Sequence, residues 1–455
     1  VVNLDKRQKK TPKTGWHEQT QSFFYSLELG WKSQLFVTTT GRNDWASQLA
    51  NSPQKSFFYP SVGVSWLPSS TFNFPEKFNY LKIRASWASV ANPFPRELTI
   101  ATHPYDDTIS GWDDKSNYPI GQLYPERTKT WELGFDARFL HGFTLSASWY
   151  RADTYNQTFN PNLSASSGYS DIYIQTGHVR NTGVEASLGY DHQWKNWNWN
   201  SQFTFSWNKN KIIELCKEWY NPITEETITM NRLQISKLGR AKFILKEGGS
   251  MGDLYSTTDL RRDDKGNIEI DEGGNVVVED NLPDMKLGSV FPDYNLAWRN
   301  SVSWKNLNLG FLVTARIGGI VNSLTQANMD LFGVSEATAA ARDAGGALVN
   351  GRSLVNPETW YTAIASQGGI PQYYTYSATN VRLQELSLGY TIPRKWLHNV
   401  CSITVSFVGR NLWMMYCKAP FDPEAVASTN NFYQGMDYFM MPSTRNLGFN
   451  INIKF

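Results

Sequence analysis

Apolar and polar residues alternate with a period of two along most of the chain, which marks strands with one apolar and one polar face. Trp131, Leu133, Phe135, Ala137 and Phe139 share one face of a segment whose other face carries Thr130, Glu132, Gly134, Asp136 and Arg138. The same split recurs from Phe23–Trp31 to Leu447–Phe455. It predicts 13 strands, at 21–30, 33–42, 57–66, 79–91, 128–139, 142–155, 183–193, 197–212, 292–304, 307–317, 382–391, 401–412 and 445–455. Strands of soluble domains average roughly 5–6 residues, whereas about 9–11 are needed to cross a bilayer. Most of these segments have the longer dimension.

The connections alternate in length. Those at 31–32, 67–78, 140–141, 194–196, 305–306 and 392–400 are short; those near 43–56, 92–127, 156–182, 213–291, 318–381 and 413–444 are long. Outer-membrane barrels have short periplasmic turns and long extracellular loops. The pattern therefore predicts an all-β, transmembrane antiparallel barrel in a bacterial outer membrane, with its last strand descending.

Charge sets the facing. A Lys or Arg facing lipid at the bilayer midplane costs about 2–4 kcal/mol, so the polar face is expected to line a lumen. Glu28, Lys82, Arg84, Glu132, Asp136 and Arg138 are the lumen-lining candidates. Arg151 breaks the pattern, but it follows Trp149 at the long-loop end of its strand, where the cost falls toward zero.

Composition agrees. The 455 residues hold 43 Lys+Arg against 41 Asp+Glu, a net charge of +2, which lacks the basic excess of a nucleic-acid binder. Aromatic residues make up 14% while mean hydropathy is −0.44, and no apolar run approaches a membrane helix. Cys216, Cys401 and Cys417 form no disulfide framework by number or spacing. No metal-binding, nucleophilic or phosphate-cradling motif is present, so neither enzyme activity nor a cofactor is expected.

Several segments carry a family resemblance. Gly41-Arg42-Asn43-Asp44-Trp45 and Phe58-Tyr59-Pro60-Ser61-Val62 are followed, in order, by Tyr80–Ser86, Pro125–Thr128, Trp131-Glu132-Leu133-Gly134, Arg180–Glu185, Pro292-Asp293-Tyr294, Arg382-Leu383, Gly409-Arg410-Asn411-Leu412 and Phe421-Asp422-Pro423-Glu424. This ordered set resembles the SusC family of TonB-dependent outer-membrane transporters of the Bacteroidetes. The resemblance implies a barrel of about 22 strands with a plugged lumen, of which this chain would be the C-terminal part, some 13–14 strands without the plug. It further implies energised import of an oligosaccharide or oligopeptide, capture by a SusD-like surface lipoprotein, TonB acting on the plug, and pairing of two transporter–lipoprotein units. A small passive barrel is the alternative expectation.

The long loops are rich in aromatic and polar residues suited to sugar rings or peptides. Trp112, Asp113, Tyr118, Tyr169, Trp360, Tyr373 and Tyr374 are the candidate ligand or partner contacts, with loop-on-loop packing as the competing role. Phe455, ending an alternating strand, resembles the signal read by barrel-assembly machinery. The acidic stretch Arg262–Gly274 has Lys265 where a calcium loop begun at Asp263 would place its second ligand, so it is expected to form turns.

Overall fold

The computed structural model describes residues 17–455 except 97, 99–104, 107–110, 113–116, 119–122, 160–170, 176, 222–224, 399 and 429–432. Each of the 13 alternating segments is a strand: β1 (Thr20–Trp31), β2 (Leu35–Ala46), β3 (Phe57–Trp66), β4 (Phe78–Asn92), β5 (Glu126–Phe139), β6 (Phe143–Tyr155), β7 (His178–Gln193), β8 (Trp197–Glu214), β9 (Tyr294–Trp304), β10 (Leu307–Ile317), β11 (Asn380–Thr391), β12 (Ser402–Cys417) and β13 (Asn446–Lys454). They form one sheet in chain order, with every neighbouring pair antiparallel. Among the described residues nothing joins β1 to β13, so the sheet is an arc with two free edges.

Several strands extend beyond the sequence expectation. β7 begins at His178 rather than 183, and β12 runs to Cys417 rather than 412. The extra residues of β7 are mostly polar and keep the ladder past the apolar belt, whereas those of β12, residues 413–417, are apolar and lose the alternation at register shifts opposite Val381/Arg382 and Leu383/Glu385.

The belt itself is exposed. Phe23, Leu133, Leu388 and Phe449 are among many large apolar side chains left uncovered on one face of the sheet, a surface no soluble monomer leaves open on this scale. At the short-turn end a row of rings crosses this face. Phe78–Phe139, Phe139–Phe143, Phe143–Tyr190 and Tyr190–Trp199 have centroids 6.2, 5.7, 4.5 and 5.1 Å apart, the aromatic girdle of a membrane–water interface. The turns here are tight. Three residues join each pair, 32–34 and 140–142; Lys32 and Ser33 have φ of 49° and 54°, and Leu140 and His141 have 49° and 51°, a left-handed turn geometry that matches the twist of the strands.

The buried apolar residues sit mainly at the other end, among the long loops. Among the described residues four α-helices break the strand pattern: a single turn, α1 (Pro68–Thr71), and α2 (Leu324–Leu331), α3 (Glu336–Asp343) and α4 (Pro357–Ala365) in the loop between β10 and β11. Ser323, Ser335 and Asn356 cap α2, α3 and α4 by accepting backbone N–H bonds. Leu260 and Val276 of the β8–β9 loop pack with Ala327, Ile364, Ile370 and Tyr374 of the β10–β11 loop. Phe243, Leu254 and Val290 pack with Leu324 and with Met436 of the β12–β13 loop. Three loops far apart in sequence thus share cores and form one cap.

Candidate functional site

The polar face carries a charge cluster built by three neighbouring strands. Arg84 of β4 donates to Asp136 of β5 at 2.9 Å and lies 3.5 Å from Glu132. Ser146 of β6 donates to the same carboxylate at 2.6 Å, and Lys82 faces Asp136 in register. Gly134 makes this possible. It pairs directly with Arg84, and a Cβ there would lie 2.9 Å from the Arg84 Nε, so only glycine lets the guanidinium cross β5 and reach both acids. Arg138 instead stacks over Tyr80, 5.1 Å from the ring centroid. Glu28 is exposed on β1 opposite Thr38, outside the cluster.

From this cluster a cleft of about 560 Å³ runs across the polar face, lined by Arg84, Glu185, Thr204, Asn295, Arg316 and Glu424. Arg316 donates to the Val290 carbonyl at 2.9 Å, while its buried Nε has no partner. Glu424 comes from the cap, so the cleft joins the strand face to the β12–β13 loop.

That loop is tethered by Arg382, only 2% exposed. Its guanidinium forms a bidentate pair with Asp422 and approaches Glu424 to 3.3 Å. Ser443 also donates to Asp422. Burial pushes the Asp422 carboxyl up, but the bonds from Arg382 and Ser443 outweigh it and hold the group at about 2. The sequence placed Arg382, Asp422 and Glu424 only within family motifs. Forty residues separate the pair, and only the fold brings them together.

Three of the loop aromatics, Tyr374, Trp360 and Tyr373, pack into the cap. Tyr374 is 1% exposed and donates to Asp330 at 3.0 Å; burial, reinforced by that carboxylate, raises its phenol well above the usual range. It therefore offers no face to a ligand. Trp360 and Tyr373 meet edge to face at 5.9 Å against the same core. Trp112 and Tyr118 lie in two-residue strands, Gly111–Trp112 and Asn117–Tyr118. Asp113 and Tyr169 fall outside the described residues. Phe455 follows β13 and is exposed. In the acidic stretch, Asp263 accepts bonds from the backbone of Lys265 and Asn267, and Asp271 from that of Asn275; these carboxylates close turns.

The geometry has clear relatives. The family model described as TonB dependent receptor-like, beta-barrel matches residues 5–412. The chain is 27% identical to TonB-dependent receptor P3 of Formosa agariphila, over 95% of this chain and 45% of that protein. It is 21% identical to TonB-dependent receptor SusC of Bacteroides thetaiotaomicron, over 82% of this chain and 38% of that protein. The RagAB peptide importer in its "open-open" state superposes with a TM-score of 0.75 at 19% identity, covering 99% of this chain and 49% of that one. The chain thus spans about half the length of the curated relatives it matches. A long-stranded antiparallel wall with an apolar belt and matching relatives places this chain in the TonB-dependent receptor-like β-barrel family, as a SusC-like protein of the outer membrane.

Proposed function

We propose that this chain is part of the wall of a TonB-dependent importer for a large nutrient, an oligosaccharide or oligopeptide, working with a SusD-like surface lipoprotein. In this reading the polar face lines the lumen, the long loops are extracellular, and the remaining strands and the plug that TonB engages come from sequence outside these 455 residues. The carrying observation is the cleft that runs from the Arg84 cluster to Glu424 beneath a folded cap. A wall for passive diffusion needs no structured cap, whereas a capture step does. Glu28, Lys82, Arg84, Glu132, Asp136 and Arg138 would line the path or touch the plug, and two transporter–lipoprotein units would pair. Phe455 would serve barrel assembly.

The test is uptake of labelled oligopeptides and oligosaccharides by cells carrying the intact transporter, with and without TonB. Uptake that disappears without TonB supports the reading. Uptake that persists without TonB overturns it in favour of a passive barrel.

A further inference from the structure

The apolar face of the sheet is uniform except in one place. At the long-loop end of β5–β8 it carries six basic side chains: Arg127 and Lys129 on β5, Arg151 on β6, Arg180 on β7, and Lys209 and Lys211 on β8. Register aligns them in rows. Lys129, Asp153, Arg180 and Lys211 form one row across the four strands. Arg151, Thr182 and Lys209 form the next, immediately above Trp149 and Trp207, which flank Val184. The apolar faces of the other nine strands hold no Lys or Arg among the described residues.

The band is organised. Asp153 is 8% exposed and accepts from Arg151 at 2.9 Å, Arg180 at 2.7 Å and His178 at 2.6 Å. Its two oxygens pin the two guanidinium groups side by side. Lys129 is held over the Tyr155 ring, 5.3 Å from the centroid. Lys209 and Lys211 are exposed, with no ion pair among the described residues. Against six basic groups the same surface sets only Asp153 and Glu214 among the described residues. Like charges gathered this closely repel one another, and nothing else in the described wall offsets them.

We propose that this band docks the phosphate-bearing headgroup of a glycolipid in the outer leaflet. Its height suits that partner, since its lower row shares the level of the exposed Trp131 and lies just above Trp149 and Trp207, and Trp side chains mark the interface where the polar headgroup layer starts. Its width suits it too. Three spacings of about 4.8 Å make roughly 15 Å, enough for a disaccharide with phosphates at both ends. Guanidinium groups fixed in a row match phosphate oxygens geometrically, and mobile lysines add charge. The acyl chains would lie on the apolar belt below. The proposal rests on the extracellular placement of the long loops, but not on transport.

The experiment uses the intact transporter, purified in detergent and delipidated, then titrated with lipid A and followed by native mass spectrometry. Each removed charge is worth roughly fivefold in binding at an anionic surface. The triple variant Lys129→Gln, Lys209→Gln, Lys211→Gln should therefore weaken lipid A retention on the order of a hundredfold, while the Lys→Arg triple retains it. Of the three, Lys129 has the Tyr155 ring as its contact, which the Lys→Arg triple keeps, and an unchanged migration of the unboiled protein on gels checks that each variant folds. Dephosphorylated lipid A should bind the unaltered protein as weakly as lipid A binds the Gln triple. Equal binding of phosphorylated and dephosphorylated forms, or of phosphatidylglycerol and lipid A, overturns the proposal. So does a Gln triple that binds like the unaltered protein, or one whose only change is loss of contact between transporter copies. Transport plays no part in this readout, so failure of the import reading leaves it intact.

Discussion

Arg382 shows how much a single residue can organise here. A guanidinium 2% exposed is tolerated because Asp422 and Glu424 surround it, and removing Asp422, the buried bidentate partner, leaves it only the exposed Glu424 at 3.3 Å. Asp422→Asn should therefore cost about 3–5 kcal/mol, read as loosening of residues 418–445 in hydrogen exchange; unchanged protection there would remove the tether from the account. Acid gives the same test without mutation. The folded Asp422 titrates at about 2, below its ordinary 3.8. Its contribution is complete above 3.8 and is lost as pH falls from there through about 2. Exchange in this loop should rise within that window in the unaltered protein and stay flat in Asp422→Asn. The sequence contains both residues, yet nothing in their spacing pairs them, because the contact is made by a loop folding back onto a strand.

At the scale of elements, the strand faces carry opposite tolerances. Phe449 and Asn450 are neighbours near the middle of β13 and project to opposite faces. Phe449→Arg should cost about 2–4 kcal/mol by placing a charge in lipid, and Asn450→Arg far less. Urea titration of the membrane-inserted protein measures both. Equal costs would remove the distinction between the faces, and a larger cost at Asn450 would reverse it. The strands were legible in the sequence because lipid on one side and water on the other impose a strict period of two. The far ends of β7 and β12 were not, since polar residues in the one and register shifts in the other keep the ladder without the alternation. The tight turns were equally hidden, for Lys32-Ser33 and Leu140-His141 carry none of the usual Asn-Gly signature and take their geometry from the strands they join.

For the whole molecule, the cap is the main addition to the sequence reading. Phe243, Leu324 and Met436 belong to three loops and share one core. Phe243→Ala should cost about 3–5 kcal/mol and raise hydrogen exchange together in 241–246, 324–331 and 436–437. A rise confined to the β8–β9 loop would mean that the three fold separately. The free edges at β1 and β13 matter at this scale as well. Unpaired backbone groups are not tolerated in hydrocarbon, so in a membrane both edges must be paired; the curated relatives are about twice as long as this chain.

What the sequence determined by itself is whatever the bilayer dictates locally: the number of strands, their facing, the alternation of short and long connections, and the family through motifs that lie mostly on those strands. Each of these depends on residues a few positions apart. The tertiary structure decided which distant residues meet. It turned Trp360, Tyr373 and Tyr374 from loop aromatics into packing for a shared cap, joined Arg84 to Asp136 across Gly134, tied Arg382 to Asp422, and lined up six basic residues from four strands above the belt. Register and loop packing are set by contacts across the sheet and between loops, and no local period encodes those.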